Sequence, residues 1–182
     1  MRKILMSILA MLISGIVFAD QIMDSIERKQ DDKLIEALKS GADANKNYKH
    51  HGGFRNISPI VWAIKKKNTS ALKILLENGG NPNSLGGYFK TPALSMVAAT
   101  SSIPTNQKIE MSKILLSHGA NINATDADNY TVLHAAVGGS DGKYILYLLQ
   151  NGADKNLKNN DGITPLGLAS SMRKSDAAAA LK

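Results

Sequence analysis

The sequence predicts an all-α solenoid of about five helix-turn-helix units, and two recurring phrases carry that reading. One phrase closes each Leu-rich stretch: Gly41-Ala42-Asp43-Ala44-Asn45, Gly79-Gly80-Asn81-Pro82-Asn83, Gly119-Ala120-Asn121-Ile122-Asn123 and Gly152-Ala153-Asp154-Lys155-Asn156, at intervals of 38, 40 and 33 residues. The other keeps step with it: Ser58-Pro59-Ile60-Val61, Thr91-Pro92-Ala93-Leu94, Thr131-Val132-Leu133-His134 and Thr164-Pro165-Leu166-Gly167, at intervals of 33, 40 and 33. A fixed period near 33 means that one supersecondary unit is stacked several times. Such stacks expose broad surfaces suited to binding.

The first nineteen residues stand outside this pattern. Met1-Arg2-Lys3 is basic, Ile4 to Phe18 carries no charge, and Val17-Phe18-Ala19 precedes the polar start at Asp20. That is the order of a secretory signal peptide, expected over 1–19. The competing reading is an uncleaved anchor, but this run as a helix rises only about 22 Å against a hydrocarbon core of about 30 Å. Removing Arg2 and Lys3 lowers the formal charge from +7 to +5. A mildly basic exported chain is expected to meet an acidic protein surface rather than nucleic acid, and no membrane once the signal is cleaved. There is no cysteine, so neither disulfides nor thiol chemistry enter.

The units are expected at about 20–52, 53–85, 86–125, 126–158 and 159–182. The first has helices marked by Ile22, Met23 and Ile26 and by Leu34, Ile35 and Leu38. Its outer face is polar, as an N-terminal cap requires. The second runs from Phe54 to Gly79, with five residues beyond the period in 45–56. The third is seven residues too long, and the excess is expected between its helices, in 98–106. The fourth is the cleanest: a turn over Asp126 to Tyr130, a small-residue helix from Thr131, a break at Gly138 to Gly142, a Leu-rich helix, and Gly152 as a left-handed stop. The fifth ends in Ala177 to Ala180, a slim final helix.

At Thr131-Val132-Leu133-His134-Ala135-Ala136 the chain resembles the ankyrin repeat family, whose T-P-L-H-x-A phrase it matches except at Val132. The resemblance covers nearly all of 20–182. It implies that the turns project as β-hairpin or loop fingers and that the first helix of each unit lines a groove. It also implies that His134 hydrogen-bonds backbone at its helix start. On that mapping the protein-binding positions are Phe54, Arg55, Ile57, Lys65, Lys66, Tyr88, Lys90, Ala98, Ala127, Asp128 and Tyr130. Tyr48 and Phe89 lie close by. Aromatic and arginine side chains dominate interface energetics. For Phe54, Ile57 and Phe89, packing of one finger on the next is an equal reading, and Trp62 is read as packing between repeats.

No catalytic, metal or cofactor site is assigned. Adjacent imidazoles at His50-His51 diverge and lack a third ligand. Gly86-Gly87 and Gly138-Gly139 lack the context of a phosphate loop. Asp126 and Asp128 lack the remaining ligands of a calcium loop. The expectation is a non-enzymatic, monomeric, periplasmic or secreted module that binds one or more proteins with an acidic patch, neutralising a toxic effector by occlusion. The alternatives are a scaffold or chaperone-like support of an exported stress enzyme, and a secreted effector acting on a host protein.

Overall fold

The structure is a computed structural model that describes residues 21–48 and 57–182. The signal segment over 1–19, Phe54, Arg55 and the His50-His51 pair lie outside those residues. The chain divides into two compact units, one ending at Asn81 and the other spanning Pro82–Lys182.

The first unit holds α1, described over 21–28, then α2 (Asp31–Lys39), α3 (Pro59–Lys65) and α4 (Thr69–Glu77). Its core gathers Ile22, Met23, Ile26, Leu34, Ile60, Trp62, Ile64, Leu72 and Leu75. Trp62 is 3% exposed and its indole N–H donates to Met23 O at 3.3 Å, so it packs between repeats. Asn68 caps α4 by accepting from the Ala71 N–H and donates to Ile26 O at 2.9 Å.

The second unit opens with a short antiparallel hairpin, β1 (Leu85–Gly86) against β2 (Thr91–Pro92). Then come α5 (Ala93–Ala99), α6 (Thr105–Ser117), α7 (Val132–Gly139), α8 (Gly142–Gln150), α9 (Pro165–Ser171) and α10 (Ser175–Leu181). First helices pack on first helices, α5 on α7 and α7 on α9, and second helices on second helices, α6 on α8 and α8 on α10. Between the layers lie Leu94, Val97, Met111, Leu115, Leu133, Val137, Ile145 and Leu148, all essentially buried.

Both sequence phrases have physical explanations. The Ser/Thr of the second phrase is an N-cap: Ser58, Thr131 and Thr164 each accept a backbone N–H two or three residues into their helix, and Pro59 and Pro165 sit at the first helical position. Thr91 departs from this because it belongs to β2, and α5 starts one residue later.

The glycines of the first phrase take φ of +98, +81, +89 and +91°. Around Gly152 the N–H donates to Leu149 O at 3.0 Å and the Ala153 N–H to Leu148 O at 3.1 Å, the paired bonds of a Schellman stop.

The last residue of the phrase joins one stop to the next. Asn45 donates its amide to Gly79 O (2.9 Å) and accepts from the Asn81 N–H (2.6 Å). Asn83 does the same at Gly119 O (3.2 Å) and Asn121 N–H (2.8 Å). Asn123 does so at Gly152 O (3.2 Å) and Asp154 N–H (2.9 Å). Asp43, Asn121 and Asp154 accept the backbone N–H two residues on, which pre-forms the turns at Asn45, Asn123 and Asn156.

Two expectations are corrected. The break in the fourth unit is not Gly138 to Gly142 but Ser140 and Asp141 alone, since α7 runs through Gly139 and α8 starts at Gly142. Gly139 is glycine because of close approach: a Cβ there would lie 2.4 Å from Ala99 O. The excess of the third unit is also not mainly loop. The connection over 100–104 is modestly longer than its counterparts, and most of the insertion extends α6 to 13 residues against 9 in α4 and α8. Thr105 to Lys108 form that extra turn, which carries Lys108 into the interior.

Asn123→Ala removes a two-bond rung, whereas Asn156 closes the series. Urea unfolding of Asn123→Ala is expected to show a loss of about 2 kcal/mol. Asn156→Ala is expected to stay within about 0.5 kcal/mol of the parent. Equal effects would show that the rung carries no stability.

Candidate functional site

The fingers of the second unit form one connected edge. The hairpin pairs Leu85 with Pro92 and Gly86 with Thr91. Lys90 turns the chain with φ +54°. The next finger is closed by Asp126, whose N–H donates to Tyr130 O and whose carboxylate accepts from the Asp128 and Tyr130 N–H groups, both at 2.9 Å. Asn159 repeats that arrangement with Asp161 and Ile163. Neighbouring fingers are tied through backbone: Ala127 N–H to Phe89 O at 2.8 Å, and Asn160 N–H to Asp128 O at 3.0 Å. The Asn129 side-chain amide donates to Asn160 Oδ1 at 2.6 Å.

On this edge Tyr88 is 87% exposed, and Phe89 and Leu85 are each 52% exposed. The Tyr88 and Phe89 rings meet edge to face, 5.4 Å apart at 88°. Packing of one finger on the next is therefore made by the Phe89 carbonyl, while its ring stays largely in solvent. Lys90, Ala127 and Asp128 are exposed beside them. Tyr130 is half-buried, its ring 5.3 Å from that of His134.

The remaining expected residues fall elsewhere. In the first unit, Ile57 exchanges two 3.0 Å backbone bonds with Tyr48, and it is half-buried. Tyr48 is not a surface aromatic: it is 4% exposed, with its hydroxyl donating to Asp43 O at 2.9 Å. Lys65 is exposed at the end of α3. Lys66 does not point away from the helices, because it pairs with Glu27 and lies over the Trp62 ring, 4.5 Å from its centroid. Ala98 is buried rather than groove-lining, because α7 packs directly on α5 there.

His134 is structural. Its Nδ1 accepts from the Thr131 N–H at 3.2 Å, so Nε2 carries the hydrogen and donates to Ile163 O at 2.9 Å. Burial holds its pKa below the ordinary value, against the Ile163 bond and the Asp126 charge. The neutral ring is thus the folded form.

Lys108 carries no functional signal in the sequence. It is 1% exposed, and its Nζ donates to Ala98 O (3.0 Å), to Gly139 O and to Ser140 Oγ (2.8 Å). Those carbonyls close the C-terminal ends of α5 and α7, where a cation is favoured. At the other connections a basic residue in left-handed conformation follows the helix end: Lys29, Lys67 and Arg173, with φ +55, +53 and +56°. Lysine and serine at 2.8 Å have the spacing of a base and nucleophile. Here all three ammonium hydrogens are committed to acceptors, and the charged form has no lone pair to take a proton, so the pair works as a clasp. Burial lowers the Lys108 pKa while the Asp141 charge pulls it back up. Among the described residues no group of three or more His, Cys, Asp or Glu is placed to hold a metal ion. No described helix is long and apolar enough to cross a membrane.

The family model described as ankyrin repeats (3 copies) matches residues 22–126 and 95–182. A putative ankyrin repeat protein of Acanthamoeba polyphaga mimivirus is 43% identical over 74 residues, 41% of this chain and 10% of that protein. A putative ankyrin repeat protein of fowlpox virus is 32% identical over 121 residues, 64% of this chain and 34% of that protein. The B-cell lymphoma 3 protein homolog of Mus musculus is 29% identical over 123 residues, 68% of this chain and 26% of that protein. The chain thus spans about a third or less of these relatives' lengths.

The neutral His134 makes stability pH-dependent. With the folded pKa below an unfolded value near 6.5, its contribution is complete above about pH 6.5 and is lost as pH falls from there through the folded value. The melting temperature is expected to fall more between pH 7 and 5 in the parent than in His134→Gln, which cannot titrate. Parallel curves would remove His134 from that dependence.

Proposed function

The chain belongs to the ankyrin-repeat family, and on that premise we propose that it is an exported, non-enzymatic module that blocks an acidic protein partner with the fingertip edge of Pro82–Lys182. Ankyrin repeats mediate protein–protein interaction. The observation that carries the reading is the exposed trio Leu85, Tyr88 and Phe89 on a hairpin whose backbone is already fixed by its own pairing and by the Ala127 N–H. Apolar rings held in water on a rigid support gain contact area without a large ordering cost. Lys90 shares the edge with Asp126, Asp128 and Asp161, so the trio rather than charge would supply affinity. The net positive charge of the chain as a whole would favour encounter with an acidic partner. The N-terminal run over 1–19 supports export to a periplasm or medium, where occlusion of a toxic effector is the role proposed.

A photo-crosslinking side chain placed at Tyr88 in the producing cell is expected to capture one predominant protein. The same group at Leu146, exposed on α8, is expected not to capture it. No adduct at Tyr88, or the same adduct at both positions, contradicts the surface. With the captured partner, Tyr88→Ala is expected to weaken binding by about 2 kcal/mol, mostly through faster dissociation. Lys90→Glu is expected to slow association and reduce its salt sensitivity.

Export has its own check. N-terminal sequencing of the protein from the exported fraction is expected to begin at Asp20. An intact Met1 in the membrane fraction contradicts cleavage.

A further inference from the structure

At the other end of the helices, an open cavity of about 480 Å³ lies where the α5–α6, α7–α8 and α9–α10 connections meet. Its floor is apolar, from Ile103 and Ala177, both nearly buried. Its walls carry Lys108, Arg173 and Lys174 against Asp141 and Asp176, with the hydroxyls of Ser101, Thr105, Ser140 and Ser175 among them.

Two of these charges are already committed. Lys108 is spent on Ala98 O, Gly139 O and Ser140 Oγ. The Asp141 carboxylate accepts from Thr105 Oγ1 at 2.6 Å and from the Tyr144 N–H at 3.0 Å. Lys108 and Asp141 therefore shape the wall. Arg173, Lys174 and Asp176 are all exposed and their side chains make no hydrogen bond or ion pair among the described residues, so the uncommitted charges on the walls are two cations and one carboxylate, a net single positive charge. The backbone of Arg173 and Lys174 is fixed, with N–H groups bonded to Ser170 O and Ala169 O. Arg173 repeats the left-handed basic residue seen at Lys29 and Lys67. A cavity lies beside Arg173, and Lys174 follows it on the same wall.

We propose that this cavity is a second docking site, which takes a carboxylate and a neighbouring apolar side chain from an extended acidic segment of a protein partner. Arg173 and Lys174 receive the carboxylate, and the Ile103–Ala177 floor receives the apolar group. The proposal rests on the reading that the partner is an acidic protein, but it stands apart from the fingertip edge, so each can fail alone.

The test is a two-dimensional NMR titration of the intact mature chain with the acetylated, amidated tripeptide Glu-Leu-Glu. Weak, millimolar binding is expected of an exposed ion-pair site. The amides of Ser101, Gly138, Ser140 and Ser175 are expected to shift together, those of Tyr88 and Phe89 not. The Gln-Leu-Gln tripeptide is expected to give no shifts, and sodium sulfate at equal ionic strength no matching pattern. Arg173→Glu with Lys174→Glu is expected to weaken the peptide at least about tenfold. Arg173→Gly with Lys174→Gln keeps the turn, since glycine accepts its left-handed backbone, and is expected to lose the peptide with the melting temperature retained. Shifts scattered over surface lysines, equal shifts with the Gln peptide or sulfate, unchanged affinity in both variants, or no shifts at all would each overturn the site. None of these results bears on capture at Tyr88.

Discussion

Each helix pair has to end where the next can be joined to it, and one side chain meets that demand. The asparagine that closes each glycine phrase reaches one repeat onward, donating to the carbonyl of the next stop and accepting an N–H two residues later. A helix end leaves carbonyls without partners. In a stacked fold every unit adds another such end, and the rung pairs the carbonyl of the glycine just past it while fixing register. Amide and backbone are matched donor to acceptor, so neither aspartate nor alanine can replace the residue without leaving a group unpaired. The left-handed glycine is needed for the same reason, because it aims the chain so that the rung lands on its target.

Once register is fixed, the two ends of the first helices become different surfaces. At one end, fingers hydrogen-bond backbone to backbone and leave Leu85, Tyr88 and Phe89 in solvent. At the other end, the connections must terminate helices in close contact. Gly139 permits that contact, and Lys108 neutralises the two carbonyls drawn together by it. The added turn of α6 is what delivers Lys108 to that place. The added turn thus serves as a structural brace, and its Thr105 and Lys108 line the cavity beside it.

Much of the architecture is legible in the sequence because it depends on local rules. Gly41, Gly79, Gly119 and Gly152 announce helix stops, and Ser58, Thr131 and Thr164 announce starts, since capping needs only neighbours in the chain. Trp62 and His134 also read correctly, as packing and as a cap. The rungs were in view as the invariant last residue of the phrase, but their bonds span more than thirty residues, so their role needs the fold. Lys66, Tyr48 and Ala98 misread for a related reason: position within a repeat does not reveal that Glu27, the Asp43 carbonyl or α7 lies against them. Lys108 had no sequence signal, being one lysine in a polar helical turn. On the fingers, spacing places Tyr88 and Lys90 at a tip, but only coordinates show that Phe89 keeps its ring exposed while its carbonyl holds the next finger.

The most direct measurement of this account is native-state hydrogen exchange at the backbone amides of Asn81, Asn121 and Asp154. These lie at the surface or near it, where amides without partners exchange rapidly. If the rungs hold the repeats in register, all three amides exchange only with unfolding of their repeat and share the free energy of the neighbouring helix core. The Asn156 amide, bonded among the described residues only to Asp154 within its own turn, exchanges faster. Exchange of the three at the rate of Asn156 would contradict the claim.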